Sequence, residues 1–153
     1  MDTQDEILTA YCGLYCGDCL RFHSKAANLA SELSLELEQI DFDKYANVKK
    51  MQIKDFENYR ELISLLSEIS KLNCDTPCRS GGDGCYEGKC EFKECVLSKG
   101  YQGCWECNEF ENCSKFEYLK PFSGIAPQQN LLKIKEFGLD KWATKREKFY
   151  RWL

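Results

Sequence analysis

Two stretches of the chain repeat apolar residues at helical spacing. In SKAANLASELSLELEQI, Ala26, Leu29, Ala30, Leu33, Leu37 and Ile40 recur at i, i+3 and i+4, the stripe of an amphipathic helix, and Ser24 stands where an N-cap belongs. DFENYRELISLLSEISKLN repeats the pattern with Phe56, Tyr59, Ile63, Leu66 and Ile69, with Asp55 as the expected cap and Asn73 as the expected stop. The pattern predicts a helical hairpin with both stripes turned into the core. Helical signals return after Pro121 and Pro127. QQNLLKIKEFG ends in Gly138, which suits the position just past a helix. DKWATKREKFYRWL predicts a last helix with Asp140 as cap and Trp142, Phe149 and Trp152 as anchors.

From Cys74 to Cys113 the periodicity dissolves. CRSGGDGC is a glycine-rich turn region, and no aliphatic run follows. This segment predicts loops and turns with at most short strands. Metal ligation is expected to take the place of a hydrophobic core there. The fold expected is therefore mainly α: a helical domain with an irregular cysteine-rich zinc-binding segment. A single domain over 1–153 is expected, with an N-terminal cysteine loop and helical hairpin over 11–73. The cysteine-rich metal-binding segment then spans 74–118 and C-terminal helices span 119–153.

Composition turns attention to the thiols. Eleven of the 153 residues are cysteine, an odd number that excludes complete pairing within one chain. The opening MDTQDEIL lacks the basic start and apolar run of a secretory leader. No apolar run approaches the roughly 18 residues of a membrane span. These features predict a cytoplasmic protein with no membrane association, where thiols stay reduced and clustered cysteines are metal ligands first. The formal charge of −4 argues against a nucleic-acid partner, which wants a basic face. Residues 74–113 hold four basic side chains against eight acidic ones, so Trp105, Tyr86 and Tyr101 are expected to cap metal sites rather than stack on bases. The run 133–151, with seven Lys or Arg against three acids, is expected to be a solvated helix face.

The cysteines fall into two groups. YCGLYCGDC holds Cys12, Cys16 and Cys19, with Gly13 and Gly17 leaving the backbone free for a tight loop whose N–H groups can point at sulfur. Cys19 is expected at the start of the following helix, where the helix N-terminus favours a thiolate. The second group is Cys74, Cys78, Cys85, Cys90, Cys95, Cys104, Cys107 and Cys113, eight thiols in forty residues. CWEC and CDTPC are pairs that a short turn brings to one point, as tetrahedral zinc requires. With His23 the chain has twelve candidate ligands, enough for two or three zinc ions. His23 as a lone histidine is expected at the surface rather than on a metal. An iron–sulfur cluster is the weaker alternative. The two-cluster ferredoxin run is absent, Asp18 stands where the radical-SAM loop has an aromatic residue, and no strand–helix alternation follows. The three N-terminal thiols leave a tetrahedral ion one ligand short, so a fourth is expected from the second group.

The ordered series of motifs resembles the domain-of-unknown-function 3795 family. Its YCGL-x-C-x-x-C opening is matched by Tyr11 to Cys19, and its pair ending in CR by Cys74, Cys78 and Arg79. Its C-x-I-x-x-C stretch is matched by Cys90, Phe92 and Cys95 after Cys85, and its KG-x-x-x-C-x-x-C stretch by Lys99, Gly100, Cys104 and Cys107. Phe110 and Cys113 match its final aromatic and cysteine. The chain departs in its longer Cys74–Cys78 and Cys85–Cys90 spacings and in Asn112, where the family commonly has proline. The resemblance implies a zinc-binding protein and supplies no reaction. The expected role is that of a structural zinc protein that binds a protein partner through the glycine-rich 79–84 loop and the helices. The alternative is a redox or metalloenzyme with an iron–sulfur cluster or an open zinc site. Its candidate acid–base group, between Cys104 and Cys107, is Glu106, which is expected to face solvent.

Overall fold

The computed structural model describes residues 4–82, 85, 88–147 and 150. Tyr86, Phe149, Trp152 and the 83–84 part of the glycine-rich loop lie outside the described residues. Regular structure among the described residues is helical: α1 (Gln4–Leu8), α2 (Lys25–Gln39), α3 (Phe42–Lys49), α4 (Tyr59–Ser70), α5 (Glu91–Ser98), α6 (Lys120–Ser123) and α7 (Ala126–Phe137), joined by short 3₁₀ turns. Extended pairing there is limited to isolated bridges, Thr9 with Tyr15 and Phe22 with Cys74. The mainly α expectation is thus met. No described helix is long and apolar enough to cross a membrane. The chain divides into two compact units, Leu20–Asp75 and the pair of segments Met1–Cys19 with Thr76–Leu153.

The unit Leu20–Asp75 is the expected hairpin. The Ser24 hydroxyl accepts from the Ala27 N–H at 3.2 Å and starts α2. At its base the His23 N–H donates to the Cys74 carbonyl at 3.0 Å and the Cys74 N–H to the Arg21 carbonyl at 2.8 Å. These bonds bring the start of α2 to the end of α4, so the two helices run antiparallel. Three details differ from the sequence reading. Asp55 lies inside a 3₁₀ turn, Lys54–Asn58, rather than at a cap, and α4 ends at Ser70, short of Asn73. The turn between the helices contains α3, whose one buried residue, Ala46, leaves no stripe to read. Phe42 of α3 packs its ring against Phe56 at 5.7 Å and Tyr59 at 5.4 Å. The stripes themselves are only partly buried. Ala27, Ala30 and Leu66 are inside, while Leu29, Leu33, Ile40 and Ile69 stay exposed. Two helices offer each other one narrow seam, and an apolar arc of 100° or more overflows it.

The discontinuous unit has the larger core. Trp142, Leu131, Phe110, Phe92, Phe116, Trp105 and Ile134 form one cluster with Tyr15 and Cys12. This corrects the expectation of a coreless cysteine-rich segment: Phe92 and Val96, one turn apart on α5, are buried, as are Trp105 and Phe110. A few aromatic rings, each large and irregularly spaced, do what an aliphatic run would do. At the C-terminal end, α7 stops at Gly138 as expected, at a positive φ of +82° that favours glycine. Trp142 is fully buried as an anchor, but it sits on a 3₁₀ turn, Trp142–Lys145, capped by Lys141 rather than Asp140.

Candidate metal centre

The N-terminal thiols sit on a backbone shaped by local hydrogen bonds. The Ala10 N–H donates to the Leu14 carbonyl at 2.8 Å and the Gly13 N–H to the Ala10 carbonyl at 3.0 Å, closing a tight loop with Cys12 near its tip. Gly13 has a φ of +87°, and a Cβ there would lie 2.6 Å from the Pro127 carbonyl oxygen and 2.8 Å from Leu131 Cγ of α7. Only glycine fits. The buried Asn130 amide donates to the Gly13 carbonyl at 2.8 Å and holds the loop down. Cys12 is thereby pressed into the core, 8% exposed.

Cys16 and Cys19 bracket a 3₁₀ turn in which the Cys19 N–H returns to the Cys16 carbonyl at 3.0 Å. Cys104 and Cys107 bracket the same device, with the Cys107 N–H on the Cys104 carbonyl at 3.1 Å. Both C-x-x-C spacings therefore fold as a short turn, which the sequence reading expected of Cys104 and Cys107. Cys19 is not at a helix start, because α2 begins only at Lys25 after a stretch of turns. Asp18, inside the first turn, has a side chain 2% exposed and receives two bonds from Arg146, Nε at 2.7 Å and Nη2 at 2.6 Å. The same guanidinium lies 4.3 Å over the Tyr15 ring. The Tyr15 hydroxyl donates to Asp5 at 2.5 Å, and the Tyr15 N–H donates to the Tyr150 hydroxyl at 3.1 Å.

A second arginine binds three loops together. Arg79 follows Cys78 on the turn Cys78–Ser80. Its Nε donates to the Thr9 carbonyl at 2.5 Å and its Nη2 to the Gln102 carbonyl at 2.6 Å. Its guanidinium is 4.7 Å from the centre of the Tyr11 ring and 5.0 Å from that of Trp105. The Cys104 N–H donates to the Tyr11 carbonyl at 2.9 Å. Backbone and guanidinium thus fasten the residues beside Cys12, Cys78 and Cys104 to one another. Trp105 is buried, and no open stacking surface is left on it.

The remaining thiols approach the same place. Cys90 caps α5, Cys95 lies within it, and Cys113 ends the turn Phe110–Asn112. Cys12 belongs to the core, and Cys78, Cys90, Cys104, Cys107 and Cys113 pack against it. Burial pushes the Cys12 thiol well up, with Cys78, Cys104 and Cys85 adding repulsion and the Leu14 N–H pulling down. Burial likewise raises Cys78, where the Tyr11 backbone N–H lowers and Cys90 raises, and lifts Cys104 to about 12, with Cys113, Cys95, Cys107 and Cys90 adding to it. Among the described residues there is no disulfide, and no three His, Cys, Asp or Glu side chains are drawn to a single point.

Cys74 is at the base of the α2–α4 hairpin, and Cys85, whose charge bears on Cys12, is exposed. His23 is an exposed side chain at a left-handed φ of 48°, with Nδ1 3.8 Å from Asp75. Glu106 faces solvent as expected and accepts from the Gln102 N–H at 2.8 Å. Arg146 overturns one detail of the basic run, since it is tied to Asp18 rather than solvated. Its role was not visible in the sequence. Arg79 has a signal in the sequence, the CR dipeptide with Cys78.

Comparison with curated proteins and with solved structures returned no match. A family described as a protein of unknown function, DUF3795, matches residues 8–118, the span that carries ten of the thiol positions built above together with Cys74 of the hairpin base. With well over half of its length covered, the chain belongs to the DUF3795 family.

Proposed function

We propose that this chain is a zinc-binding protein whose cysteine-ligated metals are structural, and whose working role is to bind another protein. The observation that carries the reading is the packing of Cys12, Cys78, Cys90, Cys104, Cys107 and Cys113 on one aromatic core, with no disulfide among the described residues. The donor set fits zinc: sulfur ligands, two C-x-x-C turns, and backbone N–H groups of Leu14 and Tyr11 directed at the sulfurs of Cys12 and Cys78. Buried thiols that raise one another's pKa are costly as anions. A divalent cation reverses that cost, because its charge favours every neighbouring thiolate at once. When bound, zinc would supply cross-links between loops rather than chemistry. Glu106, the carboxylate nearest in sequence to the second pair, is occupied by a backbone N–H and turned outward.

Cys74, Cys78, Cys85, Cys90, Cys95, Cys104, Cys107 and Cys113 are assigned with Cys12, Cys16 and Cys19 as the ligand pool, and the helices of residues 20–75 as the contact surface. The test is elemental analysis of zinc and iron per chain, with acid-labile sulfide, on protein purified without oxygen. Two or more zinc ions per chain support the proposal. Iron and sulfide near one-to-one would replace it with an iron–sulfur protein.

A further inference from the structure

The α2–α4 hairpin leaves part of its apolar arc in the open. Leu29 and Leu33 on α2 with Ile40 at its C-cap, and Leu62, Leu65 and Ile69 on α4, are each between 38 and 62% exposed. At 3.6 residues per turn, the α2 stripe lies about 100° round from the buried Ala27 and Ala30. The α4 stripe lies about 100° round from the buried Leu66 and half-buried Ile63, in the same rotational sense. The helices run antiparallel, so equal rotations in the same sense bring both stripes to one side of the pair. That side is a shallow apolar channel two helices wide.

The charges around it say what fits. Glu32 and Glu36 flank the outer edge of the α2 stripe, and Glu61 and Glu68 flank the outer edge of the α4 stripe. Glu68 shares its charge with Lys71 at 2.6 Å. Within α2 and α4, five Glu stand against Lys25 and Arg60 alone. A two-fold pairing of this face with a second copy would set acidic edge against acidic edge in either orientation, and like charges across an interface are costly. A helix with one apolar stripe and basic flanks meets both demands, laying the stripe in the channel and its Lys or Arg side chains on the two rims.

We propose that the channel between α2 and α4 is a docking groove for a basic amphipathic helix of a partner protein. This rests on the reading of the chain as an interaction module and names the surface and the partner chemistry. The probe is a fluorescent synthetic helical peptide with Leu at i, i+3 and i+7 and Lys flanks, titrated with the full chain as purified. A matched peptide with Glu flanks is the control. The Lys peptide is expected to bind, more weakly as salt rises, and the Glu peptide at least about tenfold more weakly. Leu65→Gln is expected to weaken Lys-peptide binding by about tenfold, and Glu61→Lys by several-fold. Both positions are exposed, so circular dichroism and zinc content should not change. Equal binding of both peptides, binding indifferent to Leu65→Gln, or no binding overturns the groove. So does a concentration-dependent dimer that Leu65→Gln abolishes, which would assign the face to a second copy. Zinc content on the same samples reports the metal reading separately, so failure of the groove is not confused with failure of the centre.

Discussion

Arg146 and Asp18 are joined by two hydrogen bonds, at 2.7 and 2.6 Å, across 128 residues of sequence. Asp18 sits inside the Cys16–Cys19 turn, with its carboxylate 2% and the Arg146 guanidinium 20% exposed. The turn is therefore held by side chains from the far end of the chain as well as by its own backbone. Removing one partner strands a buried charge, which costs about 3–5 kcal/mol. Arg146→Ala is expected to lower the melting temperature steeply and Asp18→Asn less so. The double variant should lose less than the two losses added together. A double-mutant cycle by thermal denaturation checks this, and additive losses would show that the two groups do not act as a unit.

Metal content should follow the thiols. Cys16→Ser is expected to lower bound zinc by about one ion per chain and to lower the melting temperature, because a structural zinc contributes on the order of 10 kcal/mol in small domains. Cys104→Ser should do the same. A Cys16→Ser protein with its full zinc complement and unchanged melting would remove that loop from the ligand set.

Arg79 should not tolerate lysine. Lysine keeps the charge but loses the planar fork that reaches the Thr9 and Gln102 carbonyls together, and loses stacking on Tyr11 and Trp105. Arg79→Lys is expected to destabilise the chain by about 2 kcal/mol. Urea denaturation measures it, and a loss no greater than that of a surface Lys99→Ala control would refute the staple.

Alkaline pH should weaken the fold through Tyr150. Burial lifts this phenol to about 12, aided by Asp18 and Cys12. The unfolded chain ionises at about 10, so the contribution is fully present below pH 10 and lost as pH rises from there through about 12. The shift corresponds to on the order of 2–3 kcal/mol. Tyr150→Phe should flatten that alkaline limb while costing about 1 kcal/mol at neutral pH, since the Tyr15 N–H loses its acceptor. Stability curves against pH for the two proteins decide it.

The helices with regular stripes were legible: Ser24 capped as expected, Gly138 closed α7, and the hairpin formed. What was missed lacked a period. α3 buries only Ala46, and α5 is a short helix whose buried face is Phe92 and Val96 alone. The thiols announced themselves by number and spacing. Their setting did not, because the contacts of Gly13 with Pro127 and Leu131, and of Asp18 with Arg146, join residues more than a hundred positions apart. Burial of stripes was overestimated for a related reason: the sequence shows how wide an apolar arc is, but not how many neighbours exist to cover it.

The clasp on the N-terminal loop sets an order of events in the cell. Tyr15 meets Tyr150 across 135 residues, and Asn130 meets Gly13 across 117. At a synthesis rate of roughly 5–20 residues per second, the first three thiols leave the ribosome on the order of ten seconds before their clasp exists. The internal contacts of the hairpin, by contrast, lie within one continuous segment, 20–75, that is made in that interval. Until the clasp exists, the loop of Cys12, Cys16 and Cys19 lacks the Asn130 and Tyr150 side chains that hold it. A translational stall before α7 would therefore leave the N-terminal thiols without the side chains that hold their loop down.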